Sequence, residues 1–305
     1  MSESLKLRPD FLIVGMQRSG TIWLGAILNS HPEIACFPNI PFDPRPGGNK
    51  IGDVDFFNIL VGLEPGEHKF TRPLERYLTM YNMVFADLVP LKDSLPREEF
   101  YRVMQKRYSE YCDKMRGNKK IVGENTADYV FHLDFIDRLY PGIKKICSIR
   151  DPKDKIVSWH FSLLNKGRKK EQKITENFAQ VYLRERIIPE YEALLDYVGR
   201  AHVFLYERMV AEPEKTIAHI LDYLEVKKSP EIISHMIENA SFEKQTARAE
   251  GVSRTRGEEN SGSQMRKGVA GDFKNHMTEN IARMVDEAVR DLRERVFEKY
   301  NVDWK

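Results

Sequence analysis

The sequence predicts an α/β fold, a three-layer sandwich with a central, mostly parallel sheet and helices on both faces. Two observations carry this. Short apolar runs at residues 11–14, 120–122, 145–149 and 202–206 have the length and continuity of strands buried on both sides. Helical stretches at residues 21–29, 152–164, 184–198, 213–224 and 277–297 follow or separate them, and strands that alternate with helices pair in parallel.

The run FLIV leads into GMQRSGT (residues 15–21) and then directly into a helix, a strand–loop–helix with the outline of a phosphate-binding loop. The helix at 152–164 begins with Asp151 as N-cap and Pro152 as its first residue. Residues 184–198 are amphipathic, and 213–224 again starts on a proline. The last helix sets Met277, Ile281, Met284, Ala288, Leu292 and Val296 along one stripe, a face for the core or a partner. Two segments break the alternation. FPNIPFDPRPGGNKIGD (37–53) is rich in proline and glycine and reads as a surface loop. Residues 250–272, rich in glycine and serine with interleaved cations, suggest a mobile flap closing over an anion. With neither a repeat nor a clean linker, residues 1–305 are expected to form one domain.

A composition of 41% hydrophobic and 31% charged residues is that of an ordinary globular chain. The net charge of +2 is too small to point to nucleic acid, so an anion site must be built from a local cluster of cations. Cys36, Cys112 and Cys147 are widely spaced and form no CxxC pair, which argues against a disulfide framework and a structural zinc site. A polar N-terminus and the lack of any run near the roughly 20 apolar residues of a membrane span set the expectation of a cytoplasmic protein without a membrane partner.

The loop departs from a nucleoside triphosphate–magnesium loop in one respect. GxxxxGK[ST] needs a lysine after the second glycine, whereas here Thr21 follows Gly20 and the cation, Arg18, precedes it. Elsewhere, SIRDPKDKIVSWHF (148–161) sets Arg150 at a strand end and Ser158 on the next helix. LYERMVAEPEKTI (205–217) places Tyr206 at another strand end, ASFEK (240–244) offers Phe242, and MRKGVAGDFKNHMT (265–278) supplies Arg266, Lys267 and Gly268.

Together with RSGTIWL, these motifs resemble the cytosolic type of sulfotransferases that use 3′-phosphoadenosine 5′-phosphosulfate (PAPS), in chain order from residue 11 to about 278. The resemblance implies a P-loop-like α/β sandwich. It also implies that the backbone from Arg18 through Ser19, Gly20 and Thr21 into Ile22, with the Arg18 and Thr21 side chains, holds the 5′-phosphosulfate. Arg150, Ser158, Arg266, Lys267 and the Gly268 amide would hold the 3′-phosphate, and Trp23, Tyr206 and Phe242 would frame the adenine. The residues agree on physical grounds, because a ligand with two phosphate groups calls for cations at two places. A sulfuryl group carries less charge than a phosphoryl, so the Arg18 cation can stand where a metal otherwise would, and no metal is expected. The product would be 3′-phosphoadenosine 5′-phosphate (PAP).

Each residue also has a plainer reading: Trp23 and Phe242 as core, Arg150 as a helix-end ion pair, Ser158 as a tolerated helical polar residue, and the loop as a simple turn. Arg18 stands where many family members have lysine, and it acts as an electrostatic stabiliser because arginine holds its proton. For the catalytic base, VGENTADYVFH (122–132) resembles the GEKTP-like stretch of carbohydrate and bacterial sulfotransferases, some of which use a glutamate. Glu124, His132 or a residue of the 37–53 loop can fill that role, and a carboxylate does so best with its pKa raised by burial. Glu124 could equally just top a strand. The family's dimerisation stretch KxxxTVxxxE is matched by Lys274 and Thr278 but not by Glu279 and Arg283, which leaves the oligomeric state open. The acceptor, a small molecule or carbohydrate, is expected to meet residues 37–53, 77–111 and 159–168. The cation-rich run NKGRKKEQK (165–173) is a solvated surface or an attraction for an acidic acceptor. The rival classes are a P-loop kinase and a non-catalytic nucleotide-binding scaffold.

Overall fold

The structure, a computed structural model, describes residues 8–38, 54–64, 84–91, 93–165, 167, 173–263 and 265–302. Most of the loop at 37–53 and of the basic run at 165–173, and the first part of the 77–111 region, lie outside the described residues.

Five strands build the sheet: β1 (Phe11–Gly15), β2 (Ile34–Phe37), β3 (Ile121–Asn125), β4 (Lys144–Ile149) and β5 (His202–Leu205). Their order is β2-β3-β1-β4-β5, and every pairing is parallel. Four of them fall on the apolar runs, and β2 is an addition. Its IACF is only four residues long and sits between His31-Pro32 and Pro38, so its local pattern reads as loop. Pairing with β3, from Ile34 beside Ile121 to Phe37 beside Glu124, makes it a strand.

Helices cover both faces. In chain order they are α1 (Thr21–Asn29), α2 (Phe56–Leu63), α3 (Arg97–Arg116), α4 (Leu133–Leu139), α5 (Pro152–Asn165), α6 (Glu176–Tyr182), α7 (Ile188–Asp196), α8 (Tyr206–Ala211), α9 (Pro213–Leu224), α10 (Pro230–Asn239), α11 (Phe242–Glu250) and α12 (Glu279–Tyr300). The helix predicted at 184–198 is composite, since α6 passes through a π turn at Leu183–Ile187 into α7. Asp151 caps α5 as expected, its Oδ1 accepting from the Lys153 amide at 2.8 Å.

Strand alternation separates the two cores. Leu12 and Val14 of β1 pack with Phe57, Tyr108, Val285 and Val289, whereas Phe11 and Ile13 pack with Leu24, Ile27, Ile217 and Ile220. The stripe on α12 is turned from the one expected. Ile281, Val285, Val289, Val296 and Phe297 are buried, Met284 and Leu292 flank them, and Ala288 is exposed. The i, i+4 ridge of branched residues faces the neighbouring α7, a choice that a 3.6-residue period alone does not make. Among the described residues no helix is long and apolar enough to cross a membrane. Because all five strands run the same way, the turns after β1, β3, β4 and β5 gather at one edge, where open parallel sheets place their ligands.

Candidate active site

The loop after β1 is anchored to β4. The Met16 amide donates to the Ser148 carbonyl (2.7 Å), and Ser148 Oγ donates to the Ser19 carbonyl (2.7 Å). Arg18 and Gly20 both take left-handed backbone angles, with φ of 66° and 78°. At Gly20 a Cβ would lie 2.5 Å from the Tyr206 ring, so both the turn and the close approach require glycine. Gly20 is the N-cap of α1 and supplies no side-chain cap. The amides of Thr21, Ile22 and Trp23 therefore begin the helix without side-chain acceptors, the arrangement that attracts an anion. Ser19 is fully buried, and its Oγ has no hydrogen-bond partner among the described residues.

The cations that the sequence places in two groups are joined. Arg18 Nε donates to Ser158 Oγ (2.9 Å) and Nη2 to the Ser158 carbonyl (3.3 Å). Arg150 Nη1 reaches the Arg18 carbonyl (3.4 Å), and its Nη2 reaches the Val269 carbonyl (3.0 Å). The Arg150 guanidinium lies 4.5 Å from the Tyr206 ring centre, and its buried Nε has no hydrogen-bond partner among the described residues. Burial pushes the Arg18 guanidinium down to about 10; Arg150 and Arg266 press the same way, and Tyr182 offsets part of it. Such like-charge crowding is relieved by an anion.

Arg266 and Lys267 both turn onto Asp272, which also accepts from Asn275 Nδ2 at 2.9 Å. Burial pushes the Asp272 carboxyl up, but the hydrogen bonds from Lys267, Arg266 and Asn275 outweigh it and hold it well below the usual range. Asp154 fixes the turn that follows, accepting from the amides of Gly271 (2.6 Å) and Phe273 (2.9 Å).

The aromatic residues stand nearby. Trp23 Nε1 donates to the Ala240 carbonyl (2.8 Å), and Trp23 meets Tyr206 edge-on with ring centres 6.0 Å apart. Tyr206 opens α8 rather than ending β5. Phe242 opens α11, which is capped by Ser241. At Gly268, with φ of 70°, a Cβ would lie 2.5 Å from the Phe242 ring. Arg256, which sequence reasoning passed over, lies 5.2 Å from the Trp23 ring centre.

The two candidate bases are placed differently. Glu124 and Asn125 point to opposite faces of β3, as strand alternation requires. Asn125 Nδ2 donates to the Thr21 carbonyl on the α1 side (3.0 Å). Glu124 is fully buried on the other side and accepts from the hydroxyls of Tyr108, Thr126 (2.9 Å) and Tyr129 (2.6 Å). His132 ends a 3₁₀ turn at Ala127–His132 and lines a cleft of about 550 Å³ with Glu64, Arg138, Glu192 and Tyr197.

A second buried network was not legible. Glu190 accepts from Lys155 Nζ, Arg186 Nε (3.1 Å) and the Gln17 amide (3.2 Å), and Arg186 continues to Asp128. It ties the loop to the π turn and to the turn after β3. No motif marks it, because its members come from four separate segments; the π turn, often a functional irregularity, is its only local trace.

These residues fit a nucleotide with phosphate groups at two positions. The uncapped α1, the Ser19 hydroxyl and the Arg150 Nε offer unused donors, and glycine at 20 and 268 keeps the backbone close to Tyr206 and Phe242.

Comparison with known proteins agrees. Among solved structures, mouse sulfotransferase SULT7A1 complexed with PAP superposes with a TM-score of 0.55 at 15% identity, covering 98% of this chain and 94% of that one. A sulfotransferase from Alicyclobacillus acidocaldarius gives 0.52 at 16% identity and covers 97% of both chains. Retinol dehydratase in complex with androsterone and PAP gives 0.52 at 19% identity, covering 93% and 81%. These likenesses establish the fold. Sulfotransferase 1E1 of Mus musculus is 26% identical over 157 residues, 47% of this chain and 52% of that protein, and the Cavia porcellus protein of the same name is 24% identical over 185 residues, 54% and 62%. The chain thus spans between half and two thirds of the length of the curated relatives it matches. The sulfotransferase domain model matches residues 8–300, a span that takes in the loop, the joined cations and the aromatic residues, and the chain belongs to the sulfotransferase domain family.

Proposed function

We propose that this protein transfers a sulfuryl group from PAPS to the hydroxyl (or amine) of a small-molecule acceptor. The observation that carries the reading is the convergence of Arg18, Ser158 and Arg150 on the uncapped start of α1. That PAP is held by the mouse enzyme and by retinol dehydratase supports it. Retinol and androsterone, found with retinol dehydratase, mark the kind of apolar alcohol to test first.

When bound, PAPS supplies a sulfuryl group already activated by its phosphate leaving group. The chain's own residues do the rest. The α1 amides and Arg18 neutralise negative charge at the 5′ end, and a guanidinium with a pKa of about 10 stays protonated near neutral pH, so Arg18 stabilises charge and does not donate a proton. Ser158 accepts from Arg18 and keeps its own hydroxyl proton to donate to the 3′-phosphate. Arg150, Arg266, Lys267 and the Gly268 amide complete that end, with Arg266 and Lys267 leaving Asp272 for the ligand. Trp23, Tyr206 and Phe242 enclose the adenine. Glu124 is the proposed proton acceptor. Glu124 and the Thr126, Tyr108 and Tyr129 hydroxyls that bond it are all fully buried, so proton transfer from an acceptor hydroxyl requires this enclosure to open toward the acceptor.

Calorimetric titration with PAP, and with ATP and Mg²⁺, tests the nucleotide half. Binding of PAP without magnesium is expected, and tight ATP–Mg²⁺ binding with no response to PAP would overturn the reading in favour of a kinase. Transfer of labelled sulfate to a panel of sterols, phenols and sugars tests the chemistry. Complete inactivity with intact PAP binding would leave a nucleotide-binding scaffold. Glu124→Gln should abolish turnover while PAP affinity stays within a few fold, and surviving turnover would make the carboxylate purely structural.

A further inference from the structure

The described residues of the segment, 251–263 and 265–268, hold neither helix nor strand, yet Arg266, Lys267 and Gly268 project from their far end. Hydrogen bonds centred on Arg254 hold this segment in place. Arg254 is only 6% exposed. Its Nε and Nη2 donate to both oxygens of Glu250 (2.9 and 2.6 Å), and Nη2 also donates to the Met265 carbonyl (2.6 Å). Nη1 donates to the carbonyls of Glu258 (2.9 Å) and Arg266 (3.0 Å). All five guanidinium donors are therefore spent inside the protein.

The same side chain faces the aromatic wall, its guanidinium lying 5.1 Å from the Phe242 ring centre. The clasp closes on itself where the amides of Gly257 and Asn260 donate to the carbonyls of Lys267 and Arg266, both at 2.9 Å. Asn260 Nδ2 (3.0 Å) and Ser263 Oγ (2.6 Å) also bond Glu250. Burial pushes the Glu250 carboxyl up, but these hydrogen bonds, led by those from Arg254, outweigh it and keep the carboxyl below its ordinary value.

A cation whose donors are exhausted and whose charge is met by a carboxylate has nothing left for a ligand. Its work is on the backbone. Within the PAPS reading above, on which this rests, we infer that Arg254 is a positioning residue: it fixes the Met265 and Arg266 carbonyls, which flank the Arg266 α-carbon, and thereby the direction in which Arg266 and Lys267 present their charges to the 3′-phosphate. Lysine cannot replace it, having three donors on one atom and no planar fork.

The test compares PAP with adenosine 5′-monophosphate, which lacks the 3′-phosphate, by calorimetry on the full chain. The wild-type protein is expected to prefer PAP strongly. Arg254→Lys should weaken PAP binding by about 10-fold or more, as expected for losing charge-assisted hydrogen bonds, while the monophosphate stays within a few fold. KM for PAPS should rise in step, with KM for the acceptor unchanged. A general loss of structure would instead weaken both nucleotides together, and that result, or an unchanged preference for PAP, would overturn the inference. If Arg254→Lys does not fold, Glu250→Gln loosens the same clasp and carries the same comparison. A wild-type protein that fails to bind PAP at all would sink the nucleotide reading itself and this inference with it, whereas wild-type preference retained by both variants sinks only the inference.

Discussion

Arg18 and Ser158, 140 residues apart, meet through a 2.9 Å hydrogen bond from Nε to Oγ. That contact joins the loop after β1 to the middle of α5 and brings the cation of the loop against Arg150. A left-handed backbone at Arg18 (φ 66°) aims the side chain there, a conformation uncommon for a residue with a Cβ and met where the surroundings enforce it.

Removing this guanidinium should be felt mainly in the chemical step. Arg18→Ala is expected to lower kcat by about 10²–10³, the usual effect of losing one charge-stabilising donor, with a smaller change in PAP affinity. Single-turnover rates with saturating PAPS measure it. A kcat within a few fold of wild type would remove Arg18 from the mechanism.

Gly268→Ala tests the contact with Phe242. The new Cβ would sit 2.5 Å from the ring at a φ of 70°. Strain of about 1–3 kcal/mol follows from the backbone alone. A lower Tm and a PAP affinity reduced by roughly 10-fold or more are expected, since 1.4 kcal/mol is a factor of ten. Unchanged PAP binding would show that the glycine and the adenine wall are independent.

Lys155 and Glu190 are both fully buried and ion-paired. Burial pushes the Lys155 ammonium down, and Glu190 works against it. Lys155→Met leaves Glu190 with Arg186 as its remaining charge partner in the interior, so the loss should stay below the roughly 3–5 kcal/mol of a wholly unpaired buried charge. The double variant with Glu190→Leu should recover part of that loss in urea denaturation. A double variant less stable than either single one would contradict this account.

His202, at the start of β5, gives a pH signature. Burial, then the charge of His219, lowers its pKa from 6.5 to about 4. As pH falls through 6.5 the unfolded chain takes up a proton that the folded chain refuses until about pH 4. The contribution of His202 to stability is thus complete above pH 6.5 and is lost progressively toward pH 4. Between pH 7 and 5 the loss is about 2 kcal/mol at most. His202→Gln should flatten that slope in urea midpoints measured at the two pH values; an unaltered slope would assign the acid sensitivity elsewhere.

Much was legible from residues close together in the chain. The strand runs, the bounds of α1 and α9, the Asp151 cap and the glycine loop all depend on neighbours within a few positions, where backbone geometry and side-chain spacing act directly. The cation and aromatic motifs were legible as residue types, because an anion and a flat base each demand particular chemistry. Other features came from contacts made at long range. β2 became a strand by pairing with β3, and the α12 stripe was chosen by packing against α7. Glu124 is enclosed by hydroxyls from α3 and the turn after β3, which changes how an acceptor can reach it. The glycine- and serine-rich segment, legible only as an irregular flap, is held by Arg254 through carbonyls up to 12 residues away. A single chain specifies these partners only once folding has brought its segments together, since burial, ion pairing and hydrogen-bond satisfaction belong to the assembled interior and not to any local run of residues.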